Sequence, residues 1–394
     1  MPAEDVGARA VPARWLWTPE GVVADTSVLV DTRDRIVGLR PTRVGDGVPF
    51  DGLVVPGLVN AHTHVELSDL AERVGPGGGF VAWVERMFGV PRGDAVASAR
   101  SAAAYMRDAG TAWVWDVSNG GDTAACLTEA GLAGVVHHEV LGFAQDVLPE
   151  PLLHDEKVRV EGDFLVRPSP HALFSTAPHV VQAAVTATSR VSATIHVAEA
   201  DEEPAFLTAG EGAFADLLDR LGRPWRWWEA PGTSAVDYLD ALGLLGPDLL
   251  LVHGIGFGTA DVARIAEAGA ACCLCPRSNQ HVVGRLPDVP AWIAAGVPFA
   301  LGTDSLASCP DLDVLAEIPV LADAFGHIDP AVWLTAATHG GAAALGTTQR
   351  GRVAVGCAPG LVGLHGVTGP ADLTRPVSPP RTWLVSPGGS PWGH

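Results

Sequence analysis

The sequence predicts an α/β chain organised as a (β/α)8 TIM barrel, joined to a small β-sandwich-like module that both ends of the chain supply. Three observations carry this prediction. Eight short apolar segments recur along the middle of the chain, most are followed by an amphipathic stretch, and polar residues cluster where the segments end. Strands without apolar/polar alternation, alternating with helices, imply a parallel sheet covered on both faces.

The eight segments are Leu53 to Pro56, Thr111 to Asp116, Gly134 to Leu141, Phe164 to Pro168, Ser192 to Val197, Leu249 to His253, Ala270 to Cys275 and Pro298 to Gly302. Between them, Asp94 to Ala109 is Ala-rich and periodic. Thr259 to Ala268 begins at a Thr cap and stops before Gly269, and Pro290 to Ala295 leads into Gly296. His64 and His196 lie 132 residues apart, about 33 for each of four units, in keeping with a barrel of roughly 250 residues. The step from His196 to His253 is too long for one unit. Its excess, Glu211 to Ala235 with Trp225, Trp227 and Trp228, reads as an inserted loop over the active face.

The barrel is expected over residues 53–345, and the β module over 1–52 and 346–394. Strand-like runs in these flanks are Val28 to Val30, Ile36 to Leu39, Arg352 to Val355 and Leu361 to Leu364. From Thr368 onward the chain is rich in Pro and Gly with few core residues, and loose packing or disorder is expected.

With 394 residues, 47% hydrophobic and 18% charged, the chain can bury a large core. A formal charge of -20 and a single lysine, Lys157, argue against nucleic acid or an anionic membrane as partner, since both need clustered cations. A small-molecule substrate is the expectation, and a homodimer is left open. The acidic start at Met1 to Gly7, with no apolar stretch behind it, reads as cytoplasmic. Six cysteines without a paired framework, Cys272, Cys273 and Cys275 among them, read as reduced structural thiols.

Chemistry in such a barrel belongs to the C-terminal strand ends. His62-Thr63-His64 stands at the first, Ser169-Pro170-His171 at the fourth and His196-Val-Ala-Glu199 at the fifth. His253 ends the sixth and Gly302-Thr-Asp304-Ser305 the eighth. Two histidines two residues apart on a strand point the same way, which is half of a metal site. His196 and Asp304 complete a set of three neutral nitrogens and one hard oxygen. Zinc held so lowers the pKa of bound water to about 7. Glu199, three residues beyond a ligand, is close enough to shuttle a proton. Taken singly, His196 and His253 read as core histidines, Asp304 as a helix cap and Glu199 as part of a solvated acidic run. Their shared position at separately inferred strand ends is what joins them.

The motifs Pro56-Gly-Leu-Val-Asn-Ala-His-Thr-His64, His196-x-x-Glu199, Leu251-Val-His-Gly254 and Gly302-Thr-Asp-Ser305 resemble the signatures of the amidohydrolase superfamily. The likeness is to its cytosine and adenosine deaminase-like branch, which carries one metal. More narrowly, His64-Val-Glu-Leu-Ser68, Phe80-x-x-Trp83, Glu139-Val-Leu-Gly142, Cys275-Pro-Arg-Ser-Asn279 and Asp304-Ser-Leu-Ala-Ser308 resemble the aminodeoxyfutalosine deaminases of the futalosine route to menaquinone. The likeness runs from about Leu53 to Leu345.

The resemblance implies that His62, His64, His196 and Asp304 bind one zinc or iron ion. Glu199, His253 and Asp304 then handle protons while the 6-amino group of an adenine-like ring leaves as ammonia. It further implies His171 against the base, Glu66 on ribose hydroxyls, Arg277 on a substrate carboxylate, and Ser305 among the substrate contacts. Binuclear relatives bridge two metals with a lysine at the end of the fourth strand; Lys157 precedes that strand, so one metal is expected. The chain departs from the family at Gly356-Cys-Ala-Pro-Gly-Leu361, which lacks an aspartate, at Leu173-Phe174 and at Gly254. Another aminopurine, pterin or triazine hydrolase is the alternative within the class. A catalytically silent metabolite-binding barrel is the alternative outside it.

Overall fold

Every residue of the segment Thr111–Ser118 is buried, and so is every residue of Phe164–Pro170, as expected of strands covered on both faces. The computed structural model describes residues 7–389 and Trp392. Its strands are β1 (Arg9–Thr18), β2 (Gly21–Val30), β3 (Ile36–Pro41), β4 (Phe50–Pro56), β5 (Leu58–Thr63), β6 (Thr111–Ser118), β7 (Ala133–Val140), β8 (Arg159–Glu161), β9 (Phe164–Pro170), β10 (Ala193–Val197), β11 (Leu249–His253), β12 (Ala271–Leu274), β13 (Phe299–Leu301), β14 (Leu361–His365) and β15 (Arg381–Val385).

Two parallel sheets form the centre of this α/β chain. One has the order β5-β6-β7-β9 with β8 antiparallel on its edge, and the other has the order β10-β11-β12-β13. The ladder is not continuous between them. At one seam Ala172 bridges His196, and at the other Thr63 bridges Asp304, both parallel. The His196 amide donates to the carbonyl of His171 at 2.9 Å, while the amides of Thr303 and Asp304 donate to the carbonyl of His62 at 3.1 and 3.0 Å. Both seams therefore meet at the strand ends that carry the histidines.

Helices fill the connections. Asp94 caps the helix Ala95–Asp108, its carboxylate accepting from the Ala97 amide. The helix Thr259–Ala268 is capped at Gly258 rather than by Thr259, and it ends in left-handed Gly269. No helix among the described residues is long and apolar enough to cross a membrane.

A third sheet, six-stranded, has the order β15-β14-β4-β1-β2-β3 and draws on both ends of the chain. It corrects three expectations. Leu53 to Pro56 is not the first strand of the parallel sheets: it lies in β4, between β1 and β14, so the boundary expected at 52/53 falls inside a strand. The chain changes sheets at Gly57, where a Cβ would lie 2.4 Å from the Pro359 carbonyl oxygen and 2.5 Å from the Ala112 side chain. Arg352 to Val355 forms no strand, although Val353 is buried beneath this sheet.

The tail after Thr368 is packed rather than loose. β15 pairs with β14, Arg381 reaches Asp313 at 2.6 Å with both side chains buried, and the Arg107 guanidinium sits 3.6 Å over the Trp383 ring. A few well-placed contacts anchor a segment whose composition alone is poor in core residues. Residues 390, 391, 393 and 394 of that expectation lie outside the described residues.

Candidate active site

His62 is the fifth residue of β5 and His64 follows the strand directly, so the period of two sets both imidazoles on one side. The strand is keyed to its neighbour by Asn60, whose Nδ2 donates to Thr303 Oγ1 at 2.9 Å and whose Oδ1 accepts from the Thr303 amide at 3.1 Å. This pairing brings Asp304 beside the two histidines. Asp304 Oδ1 lies 3.7 Å from both His62 Nε2 and His64 Nε2, and His64 Nε2 lies 3.2 Å from His196 Nε2. The other oxygen of Asp304 accepts from the hydroxyls of Ser278 and Ser308, which turns Oδ1 toward the imidazoles.

The backbone accepts strain to make this arrangement. Ala198, His253 and Asp304 have φ of 49°, 76° and 60°, a left-handed conformation that costs non-glycine residues of order 1–3 kcal/mol each. All three stand just past, or at the end of, a strand of the second sheet. Gly254, next to His253, shares this conformation, and a Cβ there would lie 2.5 Å from the Phe257 ring and 2.7 Å from that of Trp292. The aromatic pair fills the space a larger residue would need.

Burial governs the electrostatics. It pushes the imidazoles of His62 and His196 well below their usual range, with neighbouring histidines adding to the effect. These rings are therefore neutral, the form that binds a cation. Burial pushes Glu199 well up, with the charges of Asp304, Glu203 and Glu139 adding to it. Glu199 Oε1 lies 3.6 Å from His253 Nε2, and His253 Nδ1 is fixed by Asn279 Oδ1 at 2.8 Å.

These groups open into a cavity of about 860 Å³, lined on the polar side by His64, Glu66, His171, Glu199, His253 and Ser305 and on the apolar side by Phe80, Trp83, Phe174 and Phe214. Phe174 and Phe214 stack at 3.8 Å. Phe214, Leu217 and Leu218 come from the helix Ala213–Arg220, so much of the expected insertion is a helix that walls the cavity. Trp225 and Trp228 do not line it; they pack against Phe206. The six cysteines are all buried and free. Lys157 points its ammonium at the Leu152 carbonyl, 3.5 Å away, and no lysine lines the cavity.

Most of the site residues expected from sequence come together here. His62, His64, His196, Asp304, Glu199 and His253 form one cluster, and Glu66, His171 and Ser305 line the same cavity. His171 is pushed down to about 3 by burial. Arg277 does not join them. Its Nε donates to Glu317 Oε1 at 2.6 Å, its Nη1 to Asp311 Oδ1 at 2.9 Å, and its Nη2 to two carbonyls. An arginine whose fork is already closed on two carboxylates has no geometry left for a substrate carboxylate. The residue missed is Glu139 on β7. It is buried at 6% exposure, lines the cavity and is pushed up to about 8, by burial first and the Glu66 charge second. Its place at the end of the third parallel strand was the available signal.

The amidohydrolase family model matches residues 53–378. An aminodeoxyfutalosine deaminase of Deinococcus radiodurans is 32% identical over 320 residues, covering 75% of this chain and 73% of that one. A 5-methylthioadenosine/S-adenosylhomocysteine deaminase of Halobacterium salinarum is 30% identical over 363 residues, covering 86% and 79%. Among solved structures, a zinc-bound adenosine deaminase from Xanthomonas campestris superposes with a TM-score of 0.71 at 26% identity, covering 90% of this chain and 84% of that one. Helicobacter pylori aminofutalosine deaminase shares the fold with a TM-score of 0.77 at 21% identity, covering 91% and 92%. With the strand-end histidines and Asp304 in place, the match over residues 53–378 means that this chain belongs to the amidohydrolase family.

Proposed function

We propose that this amidohydrolase is a metal-dependent hydrolytic deaminase that releases the 6-amino group of an adenine-type nucleoside as ammonia, with aminodeoxyfutalosine as the first candidate substrate. The observation that carries the reading is His62: fully buried, with neither ring nitrogen hydrogen-bonded. Such a group is costly unless something fills its lone pair. Nitrogen and oxygen ligands bound tetrahedrally at 2.0–2.1 Å stand about 3.4 Å apart, close to the 3.7 Å from Asp304 to His62 and to His64 and the 3.2 Å from His64 to His196. His62, His64, His196 and Asp304 would hold one divalent cation, zinc first and iron second. When bound, that cation supplies Lewis acidity and an activated water.

The chain's own residues do the rest. Glu199 carries a proton to the ring nitrogen next to the reacting carbon, and burial, which pushes its carboxyl well up, suits it to that task. His253, turned by Asn279, and Asp304 orient the attacking oxygen, while His171 and Ser305 receive the remainder of the substrate. The apolar wall excludes water. The same wall fits a 5′-thioether, so 5-methylthioadenosine is the second reading, supported by the Halobacterium salinarum relative. In fold terms we read the two parallel sheets as one eight-stranded barrel closed at the two bridged seams, acting on small molecules in the cytoplasm.

The test is elemental analysis of the purified protein, then ammonia release from aminodeoxyfutalosine, 5-methylthioadenosine, S-adenosylhomocysteine and adenosine. About one cation per chain is expected, together with a loss of turnover of at least about a hundredfold in Glu199→Gln. Absence of metal, or full turnover in that variant, refutes the mechanism.

A further inference from the structure

Two carboxylates line the cavity beside the histidines, and their surroundings differ. Glu66 Oε1 accepts from the Asn119 amide at 2.9 Å and from Asn119 Nδ2 at 2.8 Å, and Oε2 accepts from the Ser118 hydroxyl at 2.8 Å and from the Gly120 amide at 3.4 Å. A carboxylate offers about four lone-pair sites, so the acceptor capacity of Glu66 is taken up by the loop after β6. Glu139 differs: beyond the Asn119 side chain, whose hydrogen bond partly offsets the effect of burial, it keeps an acceptor open. Its side chain is 4% exposed, its Oε1 has no hydrogen-bond partner, and it lines the cavity.

Glu139 does not serve as a prop for the cation ligand His196. Its Oε1 stands 3.6 Å from His196 Nδ1, but that nitrogen already donates to the His171 carbonyl at 3.0 Å, so no proton is left for Glu139. Among the described residues, no arginine or lysine forms an ion pair with it. A buried acceptor of this kind is costly to leave unmade, and the open side of Glu139 is the cavity. The missing donor therefore comes from the ligand.

We propose that Glu139 is a substrate-binding residue whose free carboxylate oxygen accepts a hydrogen bond from a ribose hydroxyl of the nucleoside, while Glu66 holds the Ser118–Gly120 loop in place. This rests on the reading of the substrate as an adenine-type nucleoside. In adenine the ring nitrogens N1, N3 and N7 are acceptors, and the only N–H donors belong to the amino group that leaves. The sugar hydroxyls are the donors that remain in the nucleoside core. Glu139 thus sets the preference for ribose over deoxyribose, a choice to which the apolar wall is indifferent.

The test compares zinc-loaded wild type, Glu139→Gln and Glu139→Ala. Calorimetry gives the affinities of inosine, 2′-deoxyinosine and 3′-deoxyinosine, which have no amino group to lose, and kinetics gives kcat/KM for adenosine and its 2′- and 3′-deoxy forms. Wild type should prefer the ribo form over one deoxy form by about two- to tenfold, the range of a single net hydrogen bond. Glu139→Ala should abolish that preference and the isosteric Glu139→Gln should reduce it, each with wild-type zinc content. An unchanged preference in Glu139→Ala, or loss of zinc from both variants, overturns the proposal. Deamination with an undiminished preference sinks the role of Glu139 and leaves the deaminase reading standing. No deamination by wild type, with inosine affinities that behave as stated, sinks the deaminase reading and leaves Glu139 standing.

Discussion

The Oδ1 atom of Asn279 lies 2.8 Å from the Nδ1 atom of His253, and this contact fixes which edge of the imidazole meets Glu199. Asn279 sits in the short helix Pro276–Val282, outside the cavity lining, so it acts through His253 alone. Asn279→Ala should lower kcat/KM by about ten- to hundredfold, the usual cost of removing a group that orients a catalytic side chain. Metal content should stay the same by elemental analysis; a variant with the wild-type rate would remove the orienting role.

Stripping the cation should abolish ammonia release and lower Tm, because a ligand bound only by the folded state stabilises it, by about 4 kcal/mol at a thousandfold excess over its Kd. Zinc should restore both in wild type and neither in His62→Ala. A Tm indifferent to chelation would argue against the four-ligand set.

Arg277 should prove structural. It is 11% exposed at the side chain and Glu317 is fully buried beside it, so Arg277→Ala leaves an uncompensated buried carboxylate, which typically costs about 3–5 kcal/mol. Denaturant unfolding is the measurement. If stability holds while KM rises for a carboxylate-bearing substrate only, the guanidinium reaches substrate after all.

His137 should make the protein sensitive to acid. It is fully buried, and desolvation holds its imidazole well below 6.5. Below that pH the unfolded chain takes up a proton that the folded chain refuses, so the stability present above 6.5 is lost as pH falls. One such group steepens the loss by about 1.4 kcal/mol per pH unit. His137→Gln should flatten the decline between pH 6.5 and 5 by about that slope in unfolding titrations at fixed zinc. Parallel curves would exclude it.

Legibility in the sequence followed the range of the forces involved. Seven of the eight apolar segments were placed correctly because burial on both faces leaves a local mark, and the strand ends carried the histidines with them. The first segment failed because Gly52 to Ala61 is one apolar run that belongs to two sheets; the Pro56-Gly57 punctuation was the sign of the break. Arg277 failed for a different reason. Its side-chain partners Asp311 and Glu317 stand 34 and 40 residues away, and no local pattern shows whether an arginine's donors are free. Glu139 lay inside a recognised motif, yet only the packed structure shows that its oxygen lacks a donor.

The His62 carbonyl receives both the Thr303 and the Asp304 amides, in a seam where Asn60 and Thr303 are 243 residues apart in the chain. On the ribosome, three of the four proposed ligands emerge long before the fourth, and the strand pairing that aligns them waits for the last of the parallel strands. The chain must therefore carry His62, His64 and His196 without Asp304 until residue 304 is made. Completion of the four-ligand set becomes a late event in biogenesis, and a nascent chain halted before Phe299 would display the histidines without Asp304.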